Sequence, residues 1–276
     1  MALDVNSNSY TFGFSTVMVV VVAVMLAYAS EGLKPMQSAN VTREKMQNIL
    51  SSVGVKATAE EAETMYNEMI VESYVLDHEG NVVEGSELKA FDIDVLGQYK
   101  DKAKADADRR YPLFICEKDG KRSYIIPMVG TGLWGPIWGY MAIASDGKTV
   151  EGASFDHKGE TPGLGAEIKM DWFQAPFVGK TIFDDKGEFA PIKAVKGGAA
   201  DDDPHGVDAI SGGTITSNGL SSMIENTLKI YVSYLKNLQK PVELPVEVPV
   251  VTDSLAIDSL AIDSLKVETI QTATVK

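Results

Sequence analysis

The sequence predicts an α+β protein: one amino-terminal helix long enough to span a membrane, one mixed α/β domain with antiparallel β hairpins, then a disordered low-complexity tail. Three observations carry this. Residues 5–30 hold no charged side chain. RSYIIPMVG and WGYMAIASDGKTVEGASF have β character, and an apolar stripe of helical spacing runs from Leu220 to Leu238. They divide the chain into an anchor (1–35), a folded domain (36–240) and a tail (241–276).

The uncharged stretch from Val5 to Ser30, with TVMVVVVAVMLAYA at its centre, is long enough to cross a bilayer, which takes a helix of roughly 20 residues. The alternative is a cleaved signal peptide, with AYAS as its cleavage site. Against it, no Lys or Arg precedes the run, Asp4 does, and the apolar length exceeds a usual signal core. Lys34, Arg43 and Lys45 all follow the span, which by the positive-inside rule places the domain in the cytoplasm.

Val41, Met46, Ile49, Leu50 and Val53 fall near one helical face, and Ala62, Met65, Tyr66, Met69 and Ile70 fall on another, predicting two lead-in helices. SYVLDHEGNVVEG reads as a hairpin around Glu79-Gly80-Asn81, and the Lys/Asp-rich segment from Gln98 to Arg110 as a solvated helix. In the central region Asp146-Gly147 marks a hairpin turn. GTGLWGPIWGY reads either as packing at a sheet edge or as an aromatic wall over a flat ligand. HKGETPGLGAEI is a Pro/Gly loop of the kind that carries sites. The last helix begins near Leu220, capped by Ser217 or Asn218, and the domain ends near Lys240. Beyond it, PVELPVEVPV and DSLAIDSLAIDSLKV form a linker or docking peptide with no period suited to a packed helix or strand.

Composition excludes several classes. With 25 basic and 39 acidic residues the net charge is -14, which argues against a nucleic-acid partner. The single cysteine, Cys116, rules out an intrachain disulfide and a four-cysteine cluster, and its setting in YPLFIC suggests a buried thiol. In GLGAEI, Ile168 stands where a dinucleotide fingerprint needs its third glycine. The triplets at Gly147 and Gly179 lack the earlier glycine of a P-loop, since Ala142 and Gln174 stand there. His78, His157 and His205 have no metal-ligand spacing, so no metal site and no catalytic dyad is predicted.

The chemistry is placed in DAISGGTITS, Asp208 to Ser217. Its glycines let backbone approach an anion, and a helix start beyond it supplies free N–H groups. An ordinary Ser/Thr-rich cap is the other reading.

DAISGGT, HKGETPGLG, the VKGG at Val195–Gly198, and the opening span followed by KMQNILSSVGV together resemble the NqrC family of the Na+-translocating NADH:quinone oxidoreductases. The likeness covers residues 10–240. It implies an electron-carrying flavoprotein subunit anchored in the inner membrane, with a periplasmic domain whose FMN is joined by a phosphoester to a threonine. A flavin transferase using FAD as donor attaches it, and the other subunits of the complex are the partners. By this resemblance Thr214 is the modified residue, Thr216 its decoy neighbour, and Ser211, Gly212 and Gly213 the turn before it. Gly213 replaces the family's usual alanine. The resemblance also places Glu160, Thr161 and Leu164 near the isoalloxazine, with Lys196 close enough for its cation to favour an anionic reduced flavin. It outweighs the charge count on orientation. The alternatives are the flavin-carrying subunit of an Rnf-type ferredoxin:NAD oxidoreductase, and a membrane-tethered non-redox binding or scaffold protein.

Overall fold

In the computed structural model, residues 7–85 and 87–239 are described; the repeat tail lies outside them. Ser7 opens α1 (Asn8–Ser51) by accepting from the N–H of Tyr10 at 3.3 Å. The sequence predicts a span and then a separate helix from Val41, but α1 joins them into one helix of 44 residues, about 66 Å long. Pro35 lies inside it and removes one backbone donor without ending it. Its apolar window is long enough to cross a membrane and wholly exposed, whereas Ile49 and Leu50 near its end are fully buried. Gly54, at φ 72°, turns the chain out of the helix, and Val55 N donates to Leu50 O.

Helix α2 (Ala62–Met69) follows a reciprocal cap: Thr58 Oγ1 donates to Glu61 Oε2 at 2.8 Å and accepts from Glu61 N at 3.3 Å. It runs directly into β1 (Ile70–Leu76). The expected hairpin around Gly80 is only a turn with one bridge, Leu76 to Val82, because Asp77 takes the N–H groups of Glu79 and Asn81 on its side chain.

The polar segment 98–110 is not a helix. Helix α3 (Val95–Lys100) ends where the Asp101 side chain accepts from Ala103 N and Lys104 N. The Arg109 guanidinium then gathers the carbonyls of Gln98, Asp101 and Lys104 into a folded loop. These side chain to backbone bonds compete with helix formation, and a charge-pattern reading does not see them.

Strands β2 (Tyr111–Lys118), β3 (Lys121–Thr131), β4 (Pro136–Ala144) and β5 (Val150–His157) follow β1 in an antiparallel meander whose spatial order is its chain order. Gly147, at φ 65°, makes the predicted β4–β5 turn, with Asp146 Oδ1 accepting from Lys148 N and Thr149 N, each at 2.8 Å. Alternation along the strands gives two apolar faces. Leu113, Ile115, Ile126, Met128, Met141 and Phe155 face one core; Phe114, Cys116, Ile125 and Ala142 face the other with Ile49 of α1. Cys116 is fully buried, and desolvation pushes its thiol up to about 11. About 100-fold less thiolate than an exposed cysteine carries is therefore expected at pH 8. Alkylation of the native protein should be slow and become fast only on denaturation, as thiol titration would report.

After β5 come α4 (Asp171–Gln174), a parallel pair of β6 (Lys193–Val195) and β7 (Gly206–Asp208), and α5 (Thr214–Leu238). The predicted stripe holds: Leu220, Met223, Ile224, Leu228, Tyr231 and Leu235 are buried against the first core.

Candidate functional site

Three segments distant in sequence meet at the start of α5. They are the β3–β4 turn around Leu133, the loop from His157 to Gly165, and the SGGT turn. Glu160 joins them. Its carboxylate is 5% exposed, with Oε1 accepting from Trp134 N at 2.8 Å and Oε2 from Thr216 Oγ1 at 2.6 Å. Its own N–H donates to His157 Nδ1 at 3.0 Å. A Cβ on Gly132 would lie 2.6 Å from Glu160 Oε1, and one on Gly165 would strike Oε2, so both glycines make room for the carboxylate.

The turn into α5 is set by Gly212, at φ 75°, and by Gly213 N donating to Ile210 O at 3.0 Å. The helix begins at Thr214, with Gly213 at the cap position, rather than at Ser217 or Asn218. Ser217 is fully buried inside the first turn, and its hydroxyl accepts from Ile210 N at 3.1 Å. The apolar stripe does not reach this turn, and Thr214, Ile215 and Thr216 are β-branched residues that favour helix weakly. Bonds to Glu160 and Ile210 hold it instead. As a result the N–H groups of Thr214, Ile215 and Thr216 have no acceptor within the helix and present its positive end.

A cavity of about 230 Å³ opens there. Of the sequence-predicted residues it brings together Glu160, Thr161, Leu164, Gly212, Gly213 and Thr214, and it adds Leu133, Gly165, Ile215 and Thr216. Thr214 is half-buried, and its hydroxyl has no hydrogen-bond partner among the described residues. Ser211 and Lys196 are exposed and do not line the cavity. VKGG is nonetheless tied to the turn, since Val195 pairs with Asp208 and Ala199 N donates to Asp208 Oδ1 at 2.8 Å. Leu133, Leu164 and Ile215 are 50%, 41% and 58% exposed and form an apolar rim, with Trp134 exposed beside Leu133 rather than packed into the sheet.

The sequence reading includes Gly132 and Leu133 in GTGLWGPIWGY and Ile215 in DAISGGTITS but gives none of the three a role of its own. The signal available was weak: a glycine next to an apolar residue in GTGL, and a β-branched residue between two threonines. At Gly213 an alanine Cβ would lie 2.9 Å from Ile210 Cγ2, with Ile210 itself buried. Gly213→Ala is therefore expected to cost about 1 kcal/mol through crowding, read as a melting temperature lower by about 2–4 °C. The turn geometry, at φ -101°, remains open to alanine.

The match to a family model described as an FMN-binding domain, over residues 132–229 from the β3–β4 turn into α5, places the chain in a flavin-binding class. The chain is 33% identical over 241 residues to the NqrC protein of the Na(+)-translocating NADH-quinone reductase of Vibrio campbellii, covering 82% of this chain and 92% of that one. It is 35% identical over 253 residues to the corresponding protein of Neisseria meningitidis, covering 82% and 95%. A crystal structure of the same protein from Parabacteroides distasonis superposes with a TM-score of 0.66 at 43% identity, over 74% of this chain and 96% of that one. The chain belongs to the NqrC family of the Na+-translocating NADH-quinone reductases.

Proposed function

We propose that this chain is the electron-carrying subunit of a Na+-translocating NADH:quinone oxidoreductase, with its FMN held covalently by a phosphoester to Thr214. The observation that carries this reading is the Thr214 hydroxyl, half-buried and unpartnered among the described residues, at the first position of α5 in a cavity within the FMN-binding match. The N–H groups of Thr214, Ile215 and Thr216 offset phosphate charge there. Leu133, Leu164 and Ile215 offer an apolar surface to the isoalloxazine.

The cavity's size supports a covalent link. At about 230 Å³ it falls below the roughly 300–1,000 Å³ of pockets that enclose a small molecule. It can seat the phosphate end of a flavin while the ring lies over the rim. A cofactor held so shallowly on an exposed domain dissociates unless it is tethered. FMN supplies the electron chemistry, and the chain supplies position and field. No general acid or base is required of it.

In this reading residues 1–35 anchor the chain in the inner membrane, and residues 36–240 stand in the periplasm. The family resemblance supports that orientation over the count of Lys and Arg after the span. The other subunits of the complex are its partners, and a flavin transferase with FAD as donor matures it. Relatives named for the Na+-translocating reductase favour this complex over an Rnf-type one.

Coexpression of the full chain with a flavin transferase tests the proposal. Expected are in-gel flavin fluorescence and the added mass of one FMN; absence of both removes the carrier reading.

A further inference from the structure

Two threonines two residues apart line the same cavity, Thr214 and Thr216. Both carry a hydroxyl, and the composition of SGGTIT gives no chemical reason to prefer one. Their surroundings differ. Thr216 is 2% exposed, and its Oγ1 donates to Glu160 Oε2 at 2.6 Å. Thr214 is half-buried with no such partner among the described residues. Two residues along a helix is a rotation of about 200°, so the two side chains leave the axis on nearly opposite sides. Thr216 faces the protein interior, where Glu160 and Gly165 meet it.

We propose that Glu160 is the positioning residue that confines flavin attachment to Thr214, by withholding the hydroxyl of Thr216; the inference rests on the covalent reading above. In the attachment step, a threonine Oγ1 bonds to the flavin-side phosphorus of FAD. The phosphorus–oxygen bond of the diphosphate breaks, AMP departs with the electron pair, and the hydroxyl proton passes to water. Thr216 Oγ1 is buried and held inward by its bond to Glu160, so it meets that phosphorus only if the bond breaks and the side chain turns outward. Glu160 opposes this from a fixed place, because its other oxygen holds Trp134 N and its own N–H is held by His157. Gly132 and Gly165, where any Cβ would collide with the carboxylate, leave it the room it occupies.

Removing or shortening the Glu160 side chain should open the cavity floor and release Thr216. The test uses the full chain coexpressed with a flavin transferase, with the flavin-bearing residue located by peptide mass mapping. Wild type is expected to carry flavin on Thr214, and Thr214→Ala to carry none. Thr214→Ala/Glu160→Ala and Thr214→Ala/Glu160→Asp are expected to carry it on Thr216, at a level clearly above the background of Thr214→Ala. Glu160→Asp retains the carboxylate with a shorter reach, so it decides the matter if the alanine variant does not fold. A merely structural glutamate would lower all incorporation and never create a new site. The proposal is overturned if folded double variants stay unmodified, or if Thr214→Ala alone already carries flavin on Thr216. A wild type without flavin on Thr214 removes the covalent reading itself, a result distinct from either.

Discussion

Thr214→Ala is expected to abolish covalent flavin while leaving the fold intact. The hydroxyl removed makes no hydrogen bond among the described residues, and the lost methyl belongs to a half-buried side chain. Alanine also favours a helix over threonine by a few tenths of a kcal/mol. The net effect on stability should therefore lie within about 0.5 kcal/mol. Against that stands complete loss of the tether, so incorporation should fall to background, with no fluorescence in a denaturing gel and the mass of bare polypeptide. Thr214→Ser restores the nucleophilic oxygen at the same helix position and should restore labelling in part. Full labelling of Thr214→Ala with a normal melting temperature, on any residue, would mean that the cavity's free hydroxyl is not the attachment point.

The parts of the fold legible in the sequence are those whose cause is local. An uncharged apolar run, an Asp-Gly turn and a stripe of helical period each depend on neighbours within a few residues, and α1, the β4–β5 hairpin and the buried face of α5 follow them. Where the cause lies far along the chain, no local pattern carries it. The first turn of α5 is helical because Glu160, 56 residues earlier, holds Thr216, and no pattern in SGGTITS states that. The loop 98–110 is a local case of another kind: the side chain of Arg109 bonds nearby carbonyls, and a count of charges reads that segment as a solvated helix. Within the site the same division holds. The residues alone mark DAISGGTITS as an anion-binding stretch or a helix cap, whereas Thr214, like Glu160, is named through the family resemblance, and the bonds of Glu160 need the fold. Lys196, named the same way, stands exposed outside the cavity lining.

Gly219→Ala is expected to be a damaging single-methyl change near the site, and two opposed effects decide its size. Gly219 lies inside α5 with ordinary helical dihedrals, so alanine gains about 1 kcal/mol of helix propensity. But the added Cβ would collide with the carbonyl oxygen of Thr131, the last residue of β3. That neighbour is backbone and cannot rotate away. Thr131 is paired with Pro136 across the turn, and Gly132 N donates to Gly135 O at 2.8 Å. Relief requires the helix to move off the sheet, or the turn that carries Leu133 and Trp134 to shift. Overpacking of this kind costs about 1–3 kcal/mol, occasionally more, so the clash outweighs the propensity gain. Because the same turn presents Trp134 N to Glu160 and Leu133 to the cavity, a shift there also disturbs the site. The expected result is a melting temperature lower by up to about 8 °C together with a several-fold fall in flavin incorporation. Gly54→Ala would separate this from general destabilisation: it strains a positive-φ position with open space around it, far from the cavity in sequence, and should lower stability while sparing incorporation in the folded fraction. If Gly219→Ala instead leaves both melting and labelling at wild-type values, α5 does not approach β3 as closely as this fold requires.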